Sequence, residues 1–129
     1  MSPMQLISET LKRLGRLHAL ALEEFGAAFA ADYRQCVDGV ELDRAGFLRH
    51  LEALRAATRY LEVRILAAAS EGGQVFTHHL VEVEKTDGHR ARVEVLARFQ
   101  VADGLIRRCD ELTRLLAGSA ADRDLGSRC

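Results

Sequence analysis

Three features of the sequence predict an α+β domain, with helices first and a curved antiparallel sheet after them. Apolar residues recur at spacings of three and four from Met4 to Leu22 and again from Phe47 to Thr58. From Leu61 onward the period drops to two, as in half-buried strands. Those alternating runs are separated by Glu71-Gly72-Gly73, Asp87-Gly88 and Asp103-Gly104, turn signals that join neighbouring strands into a meander.

The helical part opens at Ser2-Pro3, with Ser as cap and Pro in the first helical position. Met4, Ile7, Leu11, Leu14, Leu17, His18, Ala21 and Leu22 then form one apolar stripe, with Gly15 the weak point of an unbroken helix. Glu23 to Tyr33 keeps Phe25 and Phe29 on one face and reads as a second helix or a bent continuation of the first. Val37, Val40 and Leu42 around Gly39 suggest a short irregular strand over Cys36 to Leu42. Asp43 is placed to cap a third helix, Arg44 to Ala57, whose stripe is Phe47, Leu51, Leu54 and Thr58. The strand from Leu61 to Ala69 leads into the three-stranded unit from Val75 to Leu116. Residues 1–117 form one domain, and the small, polar tail 118–129 reads as a loop or frayed end, with Asp122-Arg123-Asp124 as a surface charge cluster.

Composition narrows the functional classes. The 129 residues suffice for one domain with a real core, and 48% apolar with 29% charged residues describes an ordinary globular protein. A net charge of −1 offers no footprint for nucleic acid or an anionic membrane. No apolar run is long enough to span a bilayer, and MSPMQLISETLKR lacks the layout of a signal peptide. Cys36, Cys109 and Cys129 are odd in number, widely spaced and free of any CxxC or finger pattern. A reduced, cytoplasmic protein with no metal and no cofactor is expected.

If Asp87-Gly88 and Asp103-Gly104 are both two-residue loops, Thr86 faces His89 and Ala102 faces Leu105, and the register sorts the side chains. One face then collects Thr77, His79, Val81, Glu94, Leu96, Arg98, Cys109, Glu111 and Thr113. The other collects Phe76, His78, Leu80, Val93, Val95, Ala97, Phe99, Ile106, Arg108, Asp110 and Leu112. Strands of this length twist and curl, so helices laid across the concave side make a cone with a cavity.

The segment ARFQVADGLIRRCDELT resembles the ending shared by the nuclear transport factor 2-like superfamily, an aromatic strand, an x-Asp-Gly turn and a last strand. Within it the similarity is to the small SnoaL-like and ketosteroid-isomerase-like proteins. Glu71-Gly72-Gly73-Gln74-Val75 is similar to the glycine turn before their long central strand, and YRQCVDGVELDRAGFLRH to their passage into the third helix. The resemblance covers nearly the whole chain and implies a cystatin-like α+β roll, three helices on the concave face of the sheet. It implies that Cys109, Glu111 and Thr113 line the cavity, with Thr77, His79, Leu96 and Arg98 sharing that face. The convex face, with Phe76, Leu80, Val95, Phe99 and Leu112, is then an exposed apolar surface, and the resemblance implies a homodimer across it.

On that frame Glu111 and His79 are candidates for an acid–base pair, because a cavity pushes a carboxyl pKa up from about 4.3 towards neutrality. Arg98 is a candidate clamp for a carboxylate or oxyanion. A buried ion-pair network that fixes the register without chemistry explains the same residues. Thr77, Leu96, Cys109, Thr113, His50 and Tyr33 are candidate ligand contacts. His50 borders the buried stripe of the third helix, and Tyr33 stands at the cavity mouth; packing is the competing explanation for both. His78 and Asp110 share the convex face, where a hydrogen bond across the dimer is expected. The chain departs from the steroid isomerases: its first helix has no Tyr, and Val40-Glu41 is followed by Leu42, not Asp. The expected function is binding of a small, partly apolar organic molecule, with cofactor-independent isomerisation, cyclisation or hydration as the chemistry. A non-catalytic ligand sensor or interaction scaffold of the same fold is the alternative.

Overall fold

Helix α1 (Pro3–Leu14) opens on a reciprocal cap: the Ser2 side chain accepts from the Gln5 backbone, and the Gln5 side chain accepts from the Ser2 N–H. The computed structural model describes residues 1–123 and 125. The stripe does not run on unbroken: α1 ends at Leu14 with Gly15 as its cap, and a 3-10 turn, Leu17–Ala19, leads to the short α2 (Leu22–Gly26). Helix α3 (Arg44–Ala57) starts where expected, with Asp43 Oδ1 accepting from Gly46 N at 2.8 Å.

The segment read as a second helix, Glu23 to Tyr33, is helical only as far as Gly26 and is strand from Phe29. β1 (Phe29–Val37) buries Phe29, Ala30, Tyr33, Gln35 and Val37. Its register shifts between Phe29 and Arg34, and the shift breaks the alternation: Phe29 and Ala30 are buried in succession, then Ala31 and Asp32 exposed in succession. β2 (Val40–Asp43) returns against it through Asp38-Gly39, both with positive φ, 49° and 86°. β3 (Thr58–Glu71), β4 (Gln74–Lys85), β5 (Arg90–Ala102) and β6 (Leu105–Ala117) form the expected meander.

The sheet has six strands in the order β2-β1-β6-β5-β4-β3, all neighbours antiparallel except β1 and β6, which run parallel. It is therefore a curved mixed sheet, wider by two strands than the meander alone. Its inner face packs on Ile7 and Leu11 of α1, Phe25 of α2, and Phe47 and Leu51 of α3, which makes the core one helix-covered layer. Four rings converge there, with Phe29 to Phe47 at 4.8 Å and Tyr33 to Phe47 at 5.2 Å. At the β3–β4 turn a Cβ on Gly73 would stand 2.5 Å from the Val101 carbonyl oxygen, so only glycine lets that turn reach β5.

Of the tail beyond Ala117, the described residues 118–123 and 125 are built rather than frayed. Ala120–Asp122 makes a 3-10 turn, Asp122 is buried rather than a surface charge, and Leu125 packs into the core. Asp124 and Cys129 lie outside the described residues.

Candidate functional site

The inner face of the sheet is set by two hairpins that share a dipeptide and differ in geometry. At Asp103-Gly104 both residues take positive φ, 55° and 72°, and Ala102 faces Leu105 as a two-residue loop requires. At Asp87-Gly88 only the glycine does. There Lys85 N bonds to His89 O at 2.8 Å and Gly88 N to Lys85 O at 2.9 Å, a three-residue loop closed by Lys85 and His89. Asp87 Oδ1 accepts from His89 N instead of adopting the left-handed conformation. β4 and β5 are thereby displaced by one residue from the expected pairing. A second one-residue shift lies between Gln100 and Val101.

The two displacements cancel across three strands but invert the middle one. Thr77, His79 and Val81 of β4 and Cys109, Glu111 and Thr113 of β6 face inward as expected. On β5 the inward set is Val93, Val95, Ala97 and Phe99, which had been assigned to the convex face. Arg98 and Leu96 therefore stand on the outer face, and neither reaches the cavity. Leu96 is 54% exposed, and Arg98 bonds to Asp110 Oδ2 at 3.0 Å. The anticipated rows His79–Leu96–Glu111 and Thr77–Arg98–Cys109 are replaced by His79–Val95–Thr113 and Thr77–Ala97–Glu111. The β5 alternation itself, Val93, Val95, Ala97, Phe99 against Glu94 and Arg98, carried the right answer.

Between sheet and helices lies a cavity of about 110 Å³. Its apolar walls include Leu51, Leu54, Leu61, Val83, Val93 and Phe99. Its polar lining consists of Thr10, Tyr33, Gln35, His50, His79, Cys109, Glu111 and Thr113, so every candidate except Thr77, Leu96 and Arg98 borders it directly. Thr77 contributes through His79, its Oγ1 lying 2.9 Å from Nδ1. Among the described lining residues none is Lys or Arg.

Burial shifts the titrating groups His79, Glu111, Cys109 and Tyr33 of the lining towards their uncharged forms. His79 is 3% exposed, and desolvation, reinforced by neighbouring His78, brings its pKa down from 6.5 to about 4, leaving the ring neutral at pH 7. Burial raises the Glu111 carboxyl above its ordinary range; the Cys109 thiol, 3.2 Å from Oε1, works against the shift, and the Asp38 charge adds to it. Cys109 is itself raised well above the usual thiol value, first by burial and then by Glu111, so it is a donor and not a thiolate nucleophile. Tyr33 stays protonated, raised by burial, and donates to Gln35 Oε1 at 2.9 Å.

Gln35 and Asp38 were not singled out in the sequence. Gln35 follows once Tyr33 to Val37 is read as a strand, since Tyr33, Gln35 and Val37 then alternate inward. Asp38, in the β1–β2 turn, accepts from Thr113 N at 2.8 Å and from Thr113 Oγ1, while its own N–H donates to the Glu111 carbonyl at 3.0 Å. His79 and Glu111 carry separate hydrogen bonds, to Thr77 and Cys109.

The outer face is mixed rather than apolar. Phe76, Leu96 and Leu112 are exposed beside a shallow groove. Around them run His78 to Glu94 at 2.7 Å, Arg114 to Glu94 at 2.8 Å, and Arg98 and Arg108 to Asp110 at 3.0 and 2.9 Å. His78 and Asp110 thus find partners within the chain. Among the described residues no group of three His, Cys, Asp or Glu is placed to hold a metal ion, and no helix is long and apolar enough to cross a membrane.

A six-stranded curved sheet rolled against three helices around one polar-tipped cavity is the cone of the nuclear transport factor 2-like proteins. The chain belongs to the SnoaL-like domain family, whose model matches residues 14–109. It is 36% identical over 106 residues to the uncharacterized protein C11D3.04c of Schizosaccharomyces pombe, covering 82% of each chain. Among solved structures it is similar to AclR of Streptomyces galilaeus, with a TM-score of 0.78, 14% identity, and 98% of this chain and 86% of that one covered. IdmH of Streptomyces antibioticus aligns with a TM-score of 0.75 at 17% identity, over 88% of this chain and 92% of that one.

Proposed function

We propose that the cavity binds a small, neutral, largely apolar organic molecule and that Glu111 exchanges a proton with it. The observation that carries this reading is a carboxyl of raised pKa at the polar end of an otherwise apolar chamber. The absence of cationic groups from the described lining favours a neutral ligand over a carboxylate. A chamber of about 110 Å³ suits a ligand near the size of benzene while its walls stay in place. Glu111 would accept a proton from one ligand atom and return it to another, an isomerisation or cyclisation, or take the proton from a water that adds to the ligand, a hydration; none of these needs a cofactor. His79, neutral at pH 7, would serve as hydrogen-bond partner and not as imidazolium acid. AclR is described as a proposed hydroxylase and IdmH as a proposed polyketide cyclase; at their identities they support the fold alone, and the chemistry rests on Glu111.

A thermal-shift screen of neutral metabolites on wild type, Glu111→Gln and Arg98→Ala tests this, because a ligand of the folded state raises the melting temperature. Ligands are expected whose shift is kept by Arg98→Ala and whose turnover drops by about 10² to 10⁴ in Glu111→Gln. A hit lost in Arg98→Ala and kept in Glu111→Gln would move the ligand to the outer face. Hits bound equally by all three with no turnover would favour the non-catalytic sensor.

We further propose that the outer face pairs with a second copy of the chain. Exposed Phe76, Leu96 and Leu112 lie among charges of both signs, Arg98 and Arg114 with Glu94 and Asp110, a pattern that a two-fold axis makes self-complementary. Leu112, 68% exposed, is the probe residue. Sedimentation equilibrium is expected to give a dimer for wild type and a folded monomer for Leu112→Asp; a monomeric wild type would sink the idea.

A further inference from the structure

We propose that the side-chain amide of Gln35 is the ligand anchor of the cavity, a donor that selects neutral molecules carrying a carbonyl oxygen; this rests on the cavity reading above. Gln35 is 4% exposed and lines the chamber from β1, paired with Cys109 and two positions before the Val37–Glu111 pair. Its amide is oriented by Tyr33, whose hydroxyl donates to Oε1 at 2.9 Å. The Tyr33 ring is itself held, edge-on to Phe29 at 4.8 Å and 5.2 Å from Phe47. Turned over, the amide would leave both its own oxygen and the Tyr33 hydrogen unmet in a buried place, at added cost. With Oε1 on Tyr33, the N–H2 group is left over, and no group among the described residues accepts from it. Arg44 Nε is the side-chain nitrogen that lies fully enclosed without a partner among the described residues. Gln35 Nε2 is not sealed in that way, so it opens on the chamber that Gln35 lines.

The other hydroxyl and thiol donors of the lining are already spent. The Thr10 hydroxyl donates to the Leu6 carbonyl at 2.7 Å, the Thr113 hydroxyl to Asp38, and the Cys109 thiol to Glu111 Oε1 at 3.2 Å. Of the hydroxyl, thiol and amide donors among the described lining residues, the Gln35 amide is then the one with hydrogens to give. A buried N–H2 without an acceptor is costly, and a ligand carbonyl oxygen removes that cost. A hydrocarbon of the same shape leaves the amide unmet, which is how such a site discriminates against it. An oxygen seated on Gln35 also directs the rest of the ligand along β6, where Glu111 stands two residues beyond Cys109.

The test titrates cyclohexanone and methylenecyclohexane, nearly equal in shape and differing in C=O against C=CH2, into the isotope-labelled full chain and Gln35→Met. Methionine keeps the length of the side chain and removes both N–H donors. Comparing the ratio of the two affinities between the proteins cancels the stronger hold of water on the ketone. Both probes are expected to bind wild type, with cyclohexanone alone moving the Gln35 side-chain N–H2 signals downfield in nitrogen–proton correlation spectra. The ketone-to-alkene affinity ratio should fall by about three- to tenfold in Gln35→Met, the worth of one neutral hydrogen bond. Should Gln35→Met fail to fold, the wild-type N–H2 signals decide by themselves. Signals that stay in place while cyclohexanone binds, or an unchanged ratio in folded Gln35→Met, would overturn the anchor and leave the cavity reading intact. If neither probe binds wild type, the cavity reading falls and the anchor falls with it.

Discussion

Between pH 6.5 and pH 4 the wild-type protein is expected to lose about 3 kcal/mol more stability than a His79→Gln variant. The sign follows from the direction of the shift. His79 titrates near 6.5 in the unfolded chain and at about 4 in the folded one, so below pH 6.5 the unfolded state holds the extra proton. Stability then falls as pH drops, and the fall levels off below the folded value. The cause is burial first and the adjacent His78 second. Glu111 acts oppositely: its carboxyl is raised on folding, so acidification through its range favours the folded state. Glu111→Gln should remove that relief, while His79→Gln removes the penalty. Urea unfolding at pH 7, 5.5 and 4 reads both, and parallel curves for wild type and His79→Gln would show that the ring is not held neutral by burial.

Replacing Phe47 by Ala is expected to destabilise the fold by about 3–5 kcal/mol, the usual range for deleting a buried ring. Phe47 is 9% exposed and, like Phe29, contacts each of the other rings: Phe29 and Tyr33 lie within 5.2 Å of it, and Phe25 at 6.5 Å. It also lines the cavity, so the space it vacates joins the chamber rather than staying a sealed void. A ligand that fills the enlarged chamber should restore part of the loss by mass action. Chemical denaturation with and without indole measures both effects. A loss below about 1 kcal/mol would mean that the ring cluster is not what binds α3 to the sheet.

The parts of the fold legible in the sequence are those decided by local chemistry. The Ser2 and Asp43 caps, the helix α3 stripe and the Asp103-Gly104 turn each depend on a few neighbouring residues, and each stands where the sequence places it. The inward set on β4 and β6 was legible for a less secure reason, since two one-residue displacements compensate. Arg98 and Leu96 were misplaced because Asp-Gly supports both a two-residue loop and a three-residue loop, and the choice at Asp87-Gly88 is made by the Asp87 carboxylate capping His89 N. The β1 strand was hidden by its irregularity, which breaks the two-residue alternation after Phe29, and by Phe25 and Phe29, whose spacing of four reads as a helix face. The buried tail was illegible because Lys85, the partner that makes Asp122 tolerable inside, lies 37 residues earlier.

The parallel pairing of β1 with β6 also dictates a history for the molecule. Gln35 meets Cys109, and Val37 meets Glu111, across most of the length of the chain. Such a contact closes a long loop and is entropically late, whereas the hairpins of the meander close short ones and are early. Tyr33, Gln35 and Asp38 reach Cys109, Glu111 and Thr113 only through that pairing. The polar end of the cavity is therefore the last region to assemble, and on the ribosome it cannot exist until the sixth strand has emerged.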